Sequence, residues 1–584
     1  MSSITAGRLR VEYKVDPLGI DETSPRLFWI VQSNDRGQRQ TAYQILVASS
    51  AESLAADQGD LWDTGKVVSD HNIQIVYSGT PLTSRMACWW KVRLWDRDGT
   101  EGPWSAPALW TMGLLAEEDW KGAWIGFDDP YPAAPDAPRD ITFDGCTWVS
   151  LPEGKTGSQA EDAFHGYRGS ITISEGRTIK HARALFSSGD QYTLFVNGQE
   201  AGKSDGRFWA YRRGSIHDVT ALIKPGSNVL AIRARNWRHT PGIIGKLQIE
   251  FADGEPFAAA VDETWKAVPA PPSDFTVPSY DDSAWMPVRS VAKAHEDPWG
   301  PLTHGVLAPL PCPCLRRPFT TKSPVQTATV YITALGAYEL RMNGRRISHD
   351  YLRPGWSDFS KRVYYQTYDV TDAIVKGDNV LGAYLGHGWY SGYLGWETRA
   401  GIYGKHPRLC AQLEITYTDG SSEIIATGDD WKAAHGPIVT SDIYQGETYD
   451  ATQELPGWDA PGYDASAWKP VLKDTPKSGP CQAYPGVPVR PVRELSPASW
   501  KEVVPGTIIV DMGQNMVGWV RLRVTGPAGT TVRMQFGEIL NPDGTMYVEN
   551  LRGAAQENFY TLKGGGEEVW EPRFTFQGFR YVEM

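Results

Sequence analysis

Two stretches decide how this 584-residue chain folds: DVTALIKPGSNVLAIRARNW, Asp218 to Trp237, and DVTDAIVKGDNVLGAYLGHGW, Asp369 to Trp389. Each runs from D-V-T through a turn closed by Asn into an apolar run, and other echoes surround them. LFVNGQEAG from Leu194 returns as LRMNGRRIS from Leu340, ETWKA from Glu263 as DDWKA from Asp429, and YDDSAWMPV from Tyr280 as YDASAWKPV from Tyr463. The order is kept throughout, which marks an internal duplication. Within each copy, Asn-Gly between apolar runs predicts a tight hairpin, because both central residues of a type I′ turn need positive φ. The second turn, KPGSN or KGDN, leads into NVLAIRA or NVLGAYL, an expected core strand. The closing Y-D-x-S-A-W-x-P-V sets a turn before a Trp that can cover one end of a sandwich. Two jelly rolls, at about 116–300 and 301–478, follow.

The flanks read the same way. Residues 1–115 give short strands, PRLFWIV, TAYQILVAS, HNIQIVYSG, CWWKVRLWDRDG and WSAPALWTMG, separated by Gly, Asp, Asn and Ser turns in the rhythm of a sandwich. Trp90, Trp95, Trp104 and Trp110 lie within those strands and are read as core. Residues 479–584 give strands joined by Gly- and Pro-rich turns, a further sandwich. The chain closes on FTFQGFRYVEM, a half-buried strand with an expected bulge at Gly578. AESLAA from Ala51 is the best short helix. The fold class is therefore all-β, four tandem β-sandwich domains.

Composition narrows the function. A formal charge of −12 and no basic cluster longer than three residues argue against a nucleic-acid partner. No stretch has the apolar length of a membrane helix, and the start lacks a signal-peptide pattern, so a cytoplasmic location without a membrane partner is expected unless an export signal was trimmed away. Cys88, Cys146, Cys312, Cys314, Cys410 and Cys481 are scattered, and Cys312-x-Cys314 without a second Cys/His pair is poor zinc spacing, so ordinary free thiols are expected. The 24 Trp beside 59 Gly suit sandwiches with aromatic loops that meet sugar faces.

Several longer motifs resemble one family. RGQRQTAYQILVAS, WSDFSKRVYYQTYDVTD, LGHGWYSG, GETYDA, DMGQNMVGWVRLRVTGPAGTTVRMQFGEILNPDGTMYVENLR and GGGEEVWEPRFTFQGFRYVE are similar, in order and across the chain, to bacterial α-L-rhamnosidases of glycoside hydrolase family 78. The resemblance implies a fibronectin-III-like first sandwich and a rhamnose-binding-type jelly roll at 116–300. It implies next a second jelly roll of the rhamnosidase N-terminal type at 301–478 and a β-sandwich at 479–584. Next in that family comes an α/α barrel carrying both acids of an inverting hydrolysis. No helical stretch that could build the barrel is visible, so the chain looks like that order stopped before its catalytic domain, with the barrel expected as partner in the parent chain or a separate subunit.

The resemblance also implies a sugar site. In the related module an Asp-Asn pair precedes the Asn-Gly hairpin and serves calcium and rhamnose. Here the pair is Asp190-Gln191, with the amide one methylene longer. Trp209 corresponds to the stacking aromatic, Asn236 to the amide after the core strand, and Pro241 follows it. Asp190 and Asn236 would be the calcium ligands, since calcium takes hard oxygens and vicinal sugar hydroxyls can complete its shell. The plain alternative reads Asp190 as a turn residue, Asn236 as a loop cap and Trp209 as core.

Other candidates are read as structural. HGWYSGYLGW, His387 to Trp396, is the second copy's loop and is read first as packing, with a part in an aglycone site or barrel docking as the other reading. Glu447, Asp450 and Glu454 of GETYDATQE would share a face only on a helix, whereas strand or loop is expected, and nothing in the sequence raises their pKa values. Asp511, Gln514 and Asn515 of DMGQNMVGW fit a turn or a barrel contact. The resulting expectation is the non-catalytic portion of an α-L-rhamnosidase acting on rhamnose-containing glycosides or polysaccharides. The alternative is a stand-alone carbohydrate-binding protein without hydrolase activity.

Overall fold

Antiparallel strand pairing supplies nearly all regular structure. The protein is described here as a computed structural model covering residues 4–129, 141–151, 163–204, 213–236, 241–299, 302–304, 311–395 and 399–584. Among these residues α-helix is confined to Ala51–Ala55, capped by the Ser50 side chain, and Gly388–Ser391. Among the described residues no helix is long and apolar enough to cross a membrane.

The duplication is visible bond for bond. Gln191–Val196 and Gln199–Lys203 turn at Asn197-Gly198, with φ of 51° and 88°, and Ala337–Met342 turns into Arg345–Arg346 at Asn343-Gly344, with 50° and 79°. These are the positive values a type I′ turn requires. Each turn Asn also holds the second turn. Asn197 Nδ2 donates to Leu222 O and Asn228 Oδ1, both at 2.9 Å, and Val229 N donates to Asn197 Oδ1 at 2.9 Å. Asn228, fully buried, donates to Lys224 O and Gly226 O and accepts from Lys224 N. Asn343 and Asn379 repeat every bond, to Ala373 O (2.8 Å), Asn379 Oδ1 (2.7 Å), Val380 N (2.8 Å), Val375 and Gly377. Each turn is solvent-exposed, but its closing Asn is buried, and the pair of asparagines satisfies one another's polar groups and those of the turn backbone. That is why the two motifs recur together.

Strand order matches across the copies. In the first, Arg289–Lys293, Thr147–Ser150, Ile243–Phe251, Ile179–Ser188, Arg213–Asp218 and Thr303–His304 form one sheet. In the second, the same places fall to Leu472–Asp474, Trp124–Gly126, Arg408–Tyr417, Val325–Leu335, Val363–Asp369 and Cys481–Ala483. Trp124–Gly126 precedes the whole first jelly roll in the chain, yet it pairs with Arg408–Tyr417 and Leu472–Asp474. The first jelly roll is thus inserted between the first strand of the second and its next strand, Cys314–Thr321. It keeps its own core, including Tyr167, Phe186, Leu194, Ile232 and Trp265.

The final sandwich borrows strands as well. Ile438–Asp442 and Gly446–Asp450 head a sheet continued by Glu557–Thr561, Thr531–Gly537, Gln577–Glu583, Thr507–Gly518 and Ser499–Val504. Its core joins Met534, Phe536, Tyr560 and Phe579 to Cys314, Tyr384 and Trp458 of the second jelly roll. The sheets therefore do not follow contiguous divisions of the chain at 115, 300 and 478. The repeat and the turns are local signals, whereas strand pairing is not. One expectation needs correction: Gly578 pairs regularly with Val517, and the register shift lies on the facing strand between Asp511 and Met516, where Gly513 has φ of 81°. The glycine that takes the left-handed conformation marks the irregularity.

Candidate functional site

Register brings three of the residues singled out in the sequence to one corner. Gln191 pairs with Arg235, which sets Asp190 opposite Asn236 at one end of the inserted jelly roll. Gly189 N donates to Gly242 O at 2.9 Å, holding the loop after Pro241 against the same corner, and both Asp190 and Pro241 are buried. Beneath them Tyr192 is fixed, its hydroxyl donating to Phe186 O at 3.1 Å and lying 2.8 Å from His217 Nε2. Burial pushes the His217 pKa down, favouring the neutral ring. Trp209 and the Asn236 side chain lie outside the described residues.

The second copy cannot carry this site. Ala337 pairs with Gly386, so its counterparts of Asp190 and Asn236 are Gly336 and His387. Gly336 has φ of 143°, and a Cβ there would come within 2.5 Å of Gly386 O. His387 is buried and bonds through Nδ1 to Ser391 Oγ at 3.0 Å, a packing role. Calcium needs six to eight oxygens. The corner holds the buried Asp190 carboxyl, and no group of three or more His, Cys, Asp or Glu occurs among the described residues.

The acids weighed elsewhere have structural partners. Asp450 caps the turn at Thr452, Glu454 accepts from Tyr449 Oη (3.0 Å) and Lys563 Nζ, and Asp511 makes a two-pronged pair with Arg580 at 2.9 and 2.8 Å. Glu447 departs from expectation. It is fully buried on the strand Gly446–Asp450, and burial pushes its pKa up to about 7 against the Arg573 charge and the N–H groups of Arg573 and Phe574. The sequence could not show this, because the residues that bury Glu447 come from the chain's far end. Beside it Glu339, also buried, pairs with Arg341 (2.9 Å), Arg346 (3.4 Å) and Arg573 (3.5 Å), while Arg341 pairs with Asp459. Tyr384 and Tyr449 lie against the Arg573 guanidinium at 5.0 and 5.6 Å. This network joins the second jelly roll to the final sandwich, and no spacing signal reveals it.

A groove of about 850 Å³ lies on that final sandwich. Val510, Met512, Met516 and Val582 line it from paired strands, and the segment 489–497 and Trp389 of the HGWYSG loop line it too. Its lining is mostly aliphatic, with Arg490, Arg493, Arg521, Arg523, Glu494 and Glu571 as its charged residues.

Known families match three segments: the Rha78A-like N-terminal immunoglobulin domain over residues 6–116, the α-L-rhamnosidase N-terminal domain over 323–493, and the bacterial α-L-rhamnosidase concanavalin-like domain over 501–584. Streptomyces avermitilis α-L-rhamnosidase is 43% identical over 594 aligned residues, covering 100% of this chain and 56% of that protein. This chain belongs to the bacterial α-L-rhamnosidases as their N-terminal domains. The crystal structure of the Streptomyces avermitilis α-L-rhamnosidase complexed with L-rhamnose superposes with a TM-score of 0.71 at 42% identity, covering 99% of this chain and 56% of that one. The α-L-rhamnosidase structure from Dictyoglumus thermophilum gives 0.64 at 26% identity, covering 99% and 46%. The chain spans about half the length of the rhamnosidases it matches. Among these rhamnosidase domains the first sandwich is immunoglobulin-like. The inserted jelly roll lies between two of the matched segments, and strands of the N-terminal domain complete the sheet of the concanavalin-like one.

Proposed function

We propose that this chain is the non-catalytic β-portion of an α-L-rhamnosidase that removes terminal L-rhamnose from glycosides or polysaccharides with inversion, and that its inserted jelly roll holds a rhamnosyl group with calcium. The observation that carries the reading is the chain-long likeness to one half of the Streptomyces avermitilis enzyme. The acids support it. Inversion needs an acid and a base about 6.5 to 9.5 Å apart across a substrate cleft, whereas Asp450, Glu454 and Asp511 are tied to structural partners and Glu447 is sealed in the core. For the sugar site, support comes from the strand register that sets buried Asp190 opposite Asn236 and from the bar to an acid at Gly336. Asp190 and Asn236 would hold the ion, which would orient two vicinal hydroxyls, and Gln191 would meet the sugar.

Two assays test the proposal. The pure chain should leave an aryl α-L-rhamnoside intact, and turnover by it would overturn the non-catalytic reading. Calorimetry with L-rhamnose and calcium should show millimolar-to-micromolar binding that EDTA and Asp190→Ala abolish. Absence of heat with calcium present would refute the sugar site.

A further inference from the structure

One sheet face is buried in the second jelly roll and open in the inserted one. Counted back from the two Asn-Gly turns, the pairs Thr193–Arg233 and Gln191–Arg235 of the first copy stand where the second has Glu339–Tyr384 and Ala337–Gly386. In the second copy Ala337 and Tyr384 belong to the core shared with the final sandwich, and buried Glu339 pairs with Arg573. In the first, Gln191, Thr193, Arg233 and Arg235 are half-buried, and Phe164, which pairs with Arg235, is 49% exposed. Their neighbours Tyr192, Leu194, Ile232 and Ala234 fill the core, so strand alternation turns this set outward.

What the open face presents is cationic. Lys203 pairs with Thr193, which pairs in turn with Arg233, so two cations flank one threonine with their backbones about 10 Å apart. Lys203 is exposed, and neither it nor Arg233 makes an ion pair or a side-chain hydrogen bond among the described residues. Glu200, the acid opposite Phe195 on the next row, pairs with neither. In a chain of net charge −12 this is a local reversal of sign. The Arg233 guanidinium lies 5.6 Å from the Phe275 ring and that of Arg235 5.8 Å from Phe164. Gly166, paired with Arg233, has no room for a Cβ beneath Pro271 and Trp285, which bound the face on that side. A protein partner needs an apolar centre, but Phe275 and Trp285 are already buried. Cations beside an open aromatic ring instead match a sugar that carries an anion: the anion takes charge-assisted hydrogen bonds and the ring takes the apolar sugar face. Gln191 adjoins Asp190, so a chain held at that corner by its rhamnosyl group would lay its next sugar here.

We propose that this face binds an acidic sugar, a uronate or a sulfate ester, next to the rhamnosyl group, with Lys203 and Arg233 taking the anion and Phe164 the apolar sugar face. The inference rests on the proposed rhamnosyl corner and narrows its substrate class to anionic rhamnose-containing polysaccharides. The test is calorimetry on the intact chain with calcium present. The ligands are L-rhamnose, a rhamnosyl-glucuronate disaccharide, a sulfated rhamnosyl disaccharide, and the neutral counterpart of each, the methyl ester and the unsulfated sugar. At least one anionic disaccharide should bind at least about tenfold tighter than its neutral counterpart. A gain for the uronate names the carboxylate as the ligand group, and a gain for the sulfated sugar names the sulfate ester. Lys203→Gln with Arg233→Gln should remove the gain while L-rhamnose binds as in wild type and the denaturant midpoint is kept. Lys203→Glu alone, at an exposed position, should already weaken the anionic ligand. Raising salt from about 50 to about 500 mM should shrink the gain at least about threefold, because exposed charges are screened.

Equal binding of the anionic and neutral disaccharides overturns the inference and leaves the rhamnosyl corner standing. A gain that both variants keep does the same. If no rhamnosyl ligand binds, D-glucuronate and glucose 6-sulfate decide: binding that the double variant abolishes upholds the acidic-sugar face and refutes only the corner. Absence of binding by every one of these ligands overturns both.

Discussion

Replacing Glu447 by Gln should remove a pH dependence from the joint between the second jelly roll and the final sandwich. Glu447 Oε2 accepts from Arg573 N at 3.0 Å and Phe574 N at 3.1 Å, while Oε1 has no hydrogen-bond partner. Burial, only partly offset by the Arg573 charge and those two N–H groups, lifts the pKa from 4.5 to about 7. The folded state therefore binds a proton that the unfolded state releases. The stabilisation is fully present below about pH 4.5 and is lost as the pH rises through about 7. A shift of about 2.5 units at about 1.4 kcal/mol each gives about 3 kcal/mol. In Glu447→Gln the amide oxygen can accept the same two N–H groups and never ionises, while its NH2 occupies the unpartnered Oε1 position at a pH-independent cost of about 1–3 kcal/mol. Amide exchange of segments 446–450 and 573–579, corrected for intrinsic rates, reads the opening free energy of this joint. Between pH 5 and 8.5 the wild type should lose about 3 kcal/mol relative to the variant. Parallel curves for the two proteins would refute the buried-carboxyl argument.

Three further outcomes are expected. Asn379→Ala removes its bonds to Asn343 Nδ2, Val375 N and two carbonyls of an exposed turn, so the second jelly roll should lose about 1–2 kcal/mol, while Asn228→Ala should loosen only the inserted one. Segment-resolved exchange would expose an error if either variant acted on the other copy. Glu339→Ala leaves the charges of Arg341, Arg346 and Arg573 without their shared carboxylate and should cost about 3–5 kcal/mol, read as a lower denaturant midpoint. A midpoint equal to wild type would rule out a structural role for the network. Replacing residues 130–310 by a flexible linker of about a dozen residues should leave the remaining domains folded. Loss of the exchange protection of Arg408–Tyr417 in that deletion would contradict the insertion.

What the sequence determined by itself is what short-range chemistry writes. Asn197-Gly198 and Asn343-Gly344 announced their hairpins because positive φ is a property of the residue. The echoed D-V-T, KPGSN and Y-D-x-S-A-W motifs announced two copies of one domain because the same turns need the same caps. Asp190, Gln191 and Asn236 were singled out through resemblance, and register sets the backbone of Asp190 opposite that of Asn236, since paired strands bring a hairpin's start to a core strand's end. The tertiary structure alone decided the rest. Trp124–Gly126 joins a sheet whose other strands follow the entire inserted domain, and Ile438–Asp442 with Gly446–Asp450 joins the sheet of the final sandwich. The pKa of Glu447 is set by burial and by residues over a hundred positions away, such as Arg573 and Phe574, and the groove by strands and a segment that meet only in the folded chain. Turn geometry and side-chain alternation are encoded within a few residues, but desolvation, ion pairing and strand partners depend on which distant segments folding brings together.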